Sequence, residues 1–141
     1  MIKKIGRSSS CGKPQAKTRL LQARKFLELA SIAESDAIGK MESESASVAV
    51  SNAVLAGIAA SDAACCFRLG MRPRADDHHQ AESFLSQIEG GRKAAAYLSE
   101  LISLKDSAQY GVSNVSNSDM KIAMRRAAAL LEFAQSIYDS N

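Results

Sequence analysis

Apolar residues recur along this chain at the three-and-four spacing of a helix, with no convincing two-residue alternation of the kind a half-buried strand shows, which predicts an all-α protein. From about Gln15 to Ile38, Leu20, Ala23, Leu27 and Ala30 step along one face, charged residues point outward, and Gly39 stops the helix. A second helix, from about Glu42 to Leu69, contains "SASVAVSNAVLAGIAASDAACCFRLG". Small residues lie almost all round it, the mark of a central helix approached closely by several neighbours. Gly70 and Pro73 end it. A short third helix starts near Asp76 or Asp77, either of which can cap its free amides, buries Phe84, Leu85 and Ile88, and stops at "EGG". The fourth begins near Arg92 and carries Tyr97, Leu98, Leu101 and Ile102 toward "LKDSAQYG", where Gly111 lets the chain turn. Beyond a Ser/Asn-rich loop, Ser118 or Asp119 caps a fifth helix, whose stripe of Ile122, Ala123, Arg126, Ala127, Leu130, Ala134 and Ile137 is apolar except at Arg126. The pattern predicts a five-helix up-and-down bundle over residues 15–141, preceded by a basic flexible leader, residues 1–14.

Length agrees with one domain, since 141 residues can bury a single sizeable core without disulfides or metals. No run approaches the length of apolar residues that a membrane span needs, and the opening "MIKKIGRSSSCGKPQAK" lacks the apolar core of a secretory signal, so a cytoplasmic protein without a membrane partner is expected. The three cysteines, Cys11, Cys65 and Cys66, are odd in number. Neighbouring cysteines on a helix point in different directions, so neither a disulfide framework nor a zinc site is expected, and Cys65 and Cys66 read as small core residues.

The formal net charge of +3 conceals a polarity along the chain. Residues 1 to 25 hold eight cations, Lys3, Lys4, Arg7, Lys13, Lys17, Arg19, Arg24 and Lys25, and no acid, whereas the rest of the chain is acidic overall. Such an arm suits an anionic partner, with nucleic acid the first candidate, and the alternative reading is a solvated leader that keeps the protein soluble. Lys3, Lys4, Arg7 and Lys13 in this arm, and Arg125 on the fifth helix beside Lys121, are the expected phosphate contacts. Arg126, on the apolar stripe, is expected to pair with a buried acid such as Asp62 or Asp106.

Both histidines fall in "RPRADDHHQ", residues 72 to 80. A structural reading makes this a polar turn in which His78 bonds the start of the third helix. A chemical reading makes His78 or His79 a proton acceptor near neutral pH, with Arg72 or Arg74 the permanent cation that steadies a phosphate. A metal held by Asp76, Asp77, His78 and His79 is disfavoured because adjacent ligands rarely converge on one ion, and no metal or cofactor is expected.

The order of "SNAVLAGIAASDAACCFRLGMRP", then "HHQAESFL", then "LKDSAQYGVSNVSNSDMKIAMRRAAALLEFA" resembles the HEPN domains of prokaryotes, over roughly Gln15 to Tyr138. The resemblance implies a compact helical bundle that dimerises and works in toxin–antitoxin or phage-defence modules, many of whose members are metal-independent ribonucleases. Their hallmark is an arginine followed after four to six residues by a histidine. Arg72 to His78, Arg72 to His79 and Arg74 to His79 all satisfy that spacing. At the fourth-helix corner, where the hallmark normally sits, Lys105 and Asp106 are followed by Gln109, Tyr110 and Gly111, without the histidine. Lys105, Asp106 and Tyr110 therefore read as a remnant pocket for a nucleotide or protein partner. The implied partners are RNA, a second copy of the chain, and a cognate antitoxin or nucleotidyltransferase.

Overall fold

The computed structural model describes residues 8–74, 78–110 and 115–140, and of these the side chains of all but residues 8, 78, 79, 106, 107, 109 and 110. Five helices account for nearly all of it: α1 (Lys13–Gly39), α2 (Ser43–Leu69), α3 (His78–Ser86), α4 (Gly91–Tyr110) and α5 (Asn117–Asp139). The helical expectation holds, with one addition. Strand β1 (Ser8–Ser10) pairs antiparallel with β2 (Met71–Pro73), Ser8 opposite Pro73 and Ser10 opposite Met71. Three-residue strands are too short to show alternation, which is why the pattern along the chain hides them. The segment expected as a flexible leader is thus, from residue 8 on, a strand, a turn and the first residues of α1.

α1 starts at Lys13, two residues earlier than the apolar spacing predicts, because Pro14 is compatible with a first turn and Gln15 Oε1 accepts from the Gly12 N–H at 2.9 Å. A three-residue link then turns the chain back. Met41 in that link adopts a left-handed φ of 55° and is 88% exposed. α2 returns antiparallel to α1, so that Arg19 near the start of one meets Asp62 near the end of the other. Gly70 closes α2 with φ 70° and donates its N–H to the Cys66 carbonyl at 3.2 Å. α5 is capped by Ser116, not by Ser118 or Asp119: the Ser116 hydroxyl accepts from the Asp119 N–H at 3.0 Å. The cap falls there because the Ser/Asn-rich run offers several suitable residues, and backbone entry selects the one in extended conformation.

α2 is the central helix, packed by α1, α4 and α5 and touched by α3. Fifteen of its residues are buried, which its small side chains permit by letting neighbouring backbones come close. Gly57 marks the tightest approach, its space filled by the fully buried Leu101 of α4 and by Leu130 of α5. Ser43–Leu69 has the length and apolar character of a membrane-crossing helix, yet 72% of its most apolar window is buried inside the bundle, as a core helix would be. The flat small-residue face of α2 is consequently occupied within the monomer. Exposed large apolar side chains sit on α1, at Leu21, Leu29, Ile32 and Ile38, and on α2 at Val48 and Leu55.

Cys65 and Cys66 are both buried, as expected, but Cys66 is bonded to Cys11 across 55 residues of sequence. This corrects the expectation that no disulfide forms. Adjacent cysteines do point apart, and that divergence lets one face the core while its neighbour meets the β1 segment. Pairing of β1 with β2 brings Cys11 to the end of α2, where its N–H also donates to the Gly70 carbonyl at 3.0 Å.

Candidate functional site

The three elements that meet at the β1–β2 end of the bundle each contribute a cation to one cleft. α1 supplies Arg19, β2 and the residue after it supply Arg72 and Arg74, and α4 supplies Lys105. Among the described residues, Asp62 of α2 is the only carboxylate in the lining. The cleft has a volume of about 650 Å³, within the range of small-ligand sites, and its remaining wall is largely apolar: Val54, Leu55 and Ile58 from α2, Ala81 from α3 and Leu98 from α4.

Asp62 organises the cationic side. It is the only charged residue on α2 between Glu44 and Arg68, and it is buried. A carboxylate in so apolar a helix must be paired. Arg19 Nε donates to Asp62 Oδ2 at 3.0 Å, with its Nη2 2.9 Å from the same oxygen, and Arg72 Nη1 donates to that oxygen at 3.3 Å. The Arg19 and Arg72 side chains remain 25% and 33% exposed at the cleft wall. Arg19 is further steered by donation to Gln22 Oε1 at 2.7 Å. Two guanidiniums are thus held in fixed positions by one buried acid, while Arg74 and Lys105 carry no ion pair among the described residues. Among the described residues four cations face one carboxylate beside an apolar wall, a setting suited to an anion with an apolar body.

This geometry redistributes the residues singled out from the sequence. Arg72 and Arg74 converge with Lys105, although the sequence assigned them to separate motifs; the fold brings β2 against α4 through α3. His78 and His79 are the first two residues of α3, one turn before Ala81 in the cleft wall, and their side chains lie outside the described residues. Asp106 and Tyr110 belong to the last turns of α4, and their side chains likewise lie outside that description, as do Asp76 and Asp77 altogether. Lys3, Lys4 and Arg7 also fall outside it. Lys13 does not line the cleft; its ammonium sits 5.6 Å from the centre of the Phe67 ring. Arg125 lies in a different groove, with Lys121 of α5 and Leu27, Glu34 and Ile38 of α1.

Arg126 does not reach Asp62. Its Nε donates to Glu100 Oε2 of α4 at 2.6 Å and its guanidinium stacks 4.5 Å from the centre of the Tyr97 ring. The helical stripe placed Arg126 at the edge of the α4–α5 seam, where a long side chain reaches solvent-side partners without a buried acid. Arg19 is the residue that sequence reasoning missed as a site component. The lone Asp62 in α2 was the available signal, since it required a cation, but nothing in the spacing distinguished Arg19 from the other cations of the first 25 residues.

Cys65 is free and buried against this region, and its thiol is pushed far above the ordinary range, first by burial and then by the negative charge of Asp62. No family model, curated protein or solved structure matches this chain.

Proposed function

We propose that this chain is an RNA-binding helical module of the HEPN-like kind, cytoplasmic and belonging to a bacterial toxin–antitoxin or defence system, with the cationic cleft as its phosphate-gripping site. The observation that carries the reading is the convergence of Arg19, Arg72, Arg74 and Lys105 from distant parts of the chain into one cleft with Asp62. The basic composition of the N-terminal region supports it, since residues 1 to 25 hold eight cations and no acid. Phosphates are gripped there by guanidinium and ammonium groups, and the apolar wall offers a surface for a base or ribose. Binding of this sort is salt-dependent and weakly sequence-selective.

The test is fluorescence anisotropy with a labelled single-stranded RNA. Reversing the two unpaired cations together, Arg74→Glu with Lys105→Glu, is expected to weaken binding about ten-fold and to lower the salt dependence by about two counterions. Arg125→Glu, in the separate groove, serves as comparison and is expected to have a smaller effect. Equal affinity for the wild type and the double variant, with circular dichroism unchanged, would sink the cleft as the RNA site.

A second reading, metal-independent RNA cleavage, is favoured by one feature: α3 begins at His78, a single turn before the cleft-lining Ala81. In that reading His78 or His79 takes the proton from the RNA 2′-hydroxyl, Arg72 or Arg74 steadies the phosphate, and a cyclic phosphate end is left. A cognate antitoxin or nucleotidyltransferase would then restrain the activity.

A homodimer is part of the proposal, supported by the exposed Leu21, Leu29 and Ile32 on α1, at 54%, 52% and 61% exposure. Light scattering is expected to give about twice the chain mass at micromolar concentration and the single-chain mass for Leu29→Asp combined with Ile32→Asp. A wild-type monomer at every concentration would remove the dimer.

A further inference from the structure

We propose that the Cys11–Cys66 disulfide is a thiol-responsive latch that sets the anion affinity of the cationic cleft. This inference rests on the RNA-binding reading given above for its ligand, but its structural part stands by itself.

The connections are short and all run through one corner. Cys11 follows β1 directly and is bonded to Cys66 in the last turn of α2. Its N–H donates to the Gly70 carbonyl at 3.0 Å, and the next three residues are β2, which carries Arg72 to Asp62 and leads into Arg74. An isolated pair of three-residue strands has little stability in water, so β1 needs another anchor to stay in register with β2. The disulfide is that anchor. It holds β1 against β2 and so steadies the Arg72–Arg74 segment at the rim of the cleft.

Access is one-sided. Cys66 is 2% exposed, whereas Cys11 is only half-buried. A low-molecular-weight dithiol therefore attacks at Cys11 Sγ: its thiolate forms a mixed disulfide there, the Cys11–Cys66 bond breaks, and Cys66 leaves as a thiolate that takes up a proton. The second thiol of the reductant then attacks the mixed disulfide, releasing Cys11 as a thiol and leaving the reductant as a cyclic disulfide. Two electrons pass from the dithiol to the protein pair. Cys65 does not intervene, because burial and the neighbouring Asp62 keep its thiol protonated. In a reducing compartment such a crosslink forms transiently and reports redox state, whereas in an oxidising one it is permanent.

Once the bond is open, β1 loses its anchor, β2 loses its ladder partner, and the segment that carries Arg72 and Arg74 is held less firmly at the cleft. The bundle itself remains, since α1 is still tied to α2 by Arg19–Asp62 and by the core.

The experiment compares the full chain oxidised, the full chain reduced with dithiothreitol, and Cys11→Ser, using a labelled single-stranded RNA for affinity and amide hydrogen exchange for structure. Thiol titration under denaturing conditions is expected to rise by two on reduction. RNA affinity is expected to fall about five-fold in the reduced chain and in Cys11→Ser alike, and reductant should have no further effect on the variant. Exchange should quicken at residues 8–12 and 70–73 while the helices keep their protection and helical circular dichroism is retained. If Cys11→Ser fails to fold, reduction and reoxidation of the wild type supplies the same comparison. Equal RNA affinity of oxidised and reduced chains, or three free thiols in a chain that no oxidant can close, overturns the latch. Absence of RNA binding already in the oxidised chain overturns the RNA reading, and the latch is then decided by exchange alone: unchanged protection at residues 70–73 refutes it.

Discussion

Gly91→Ala is expected to destabilise the protein by about 3 kcal/mol, lowering the melting temperature by roughly 10 °C. Gly91 is the first residue of α4, buried, and its N–H donates to the Ile88 carbonyl at 2.8 Å in the tight turn from α3. A methyl group there would stand 1.9 Å from the Leu85 carbonyl oxygen and 3.0 Å from its carbon. Backbone cannot swing aside as a side-chain tip can. Moving that carbonyl breaks its 3.0 Å bond from the Ile88 N–H and draws Phe84, Leu85 and Ile88 out of the core. Neighbouring glycines provide the scale. Gly90 has φ 78° but open space around it, so Gly90→Ala is expected to cost about 1 kcal/mol from backbone strain alone. Gly39 has open space and no left-handed φ, and Gly39→Ala should be close to neutral. Urea unfolding of the three variants checks the order; a Gly91→Ala loss no larger than that of Gly90→Ala would mean that the α3–α4 turn yields freely.

Asp62→Ala carries a loss of similar size, about 3 kcal/mol. Its removal leaves two guanidiniums facing each other across the space of one carboxylate, in a wall that is only partly open to water. The penalty is below that of a fully buried pair because Arg19 and Arg72 keep a quarter to a third of their side-chain surface exposed. Asp62→Asn retains the shape and one acceptor and should cost less, about 2 kcal/mol. A double-mutant cycle separates the partners: Arg19→Ala with Asp62→Ala should fall well short of additivity, while Arg126→Ala with Asp62→Ala should be additive, since Arg126 is held by Glu100 and Tyr97. Additivity in the Arg19 pair would show that the contact between Arg19 and Asp62 contributes nothing to stability.

The helices were legible because their signal is local. Leu98 and Leu101, or Ala123, Ala127, Leu130 and Ala134, lie on one side of a helix through backbone geometry alone, and burial follows from that side being apolar. Even the central place of α2 could be read, since small residues nearly all round let neighbours come close on most sides, while Val48 and Leu55 stay exposed. Caps were less legible: Ser116, Ser118 and Asp119 are chemically alike, and only the backbone path selects Ser116. The cleft was legible in pieces. Arg72, Arg74 and Lys105 stood out as charges in motif-like settings, but their convergence depends on how α3 folds β2 back toward α4.

What the sequence by itself determined was the kind of protein: five helices, a small-residue helix at the centre, a cationic N-terminal region and an acidic remainder. These follow from period, residue size and charge, which are properties of short segments. Only the tertiary structure decided partners. Asp62 required a cation, and eighteen were available; it took Arg19 and Arg72 because the antiparallel turn of α1 onto α2 and the return of β2 along the same end put those two within hydrogen-bond reach. Cys66 joined Cys11 for the same reason, since the pairing of β1 with β2 closes a 55-residue separation that no local spacing encodes. Pairing is a matter of distance in space, and distance between remote segments is set by the packing of the whole chain.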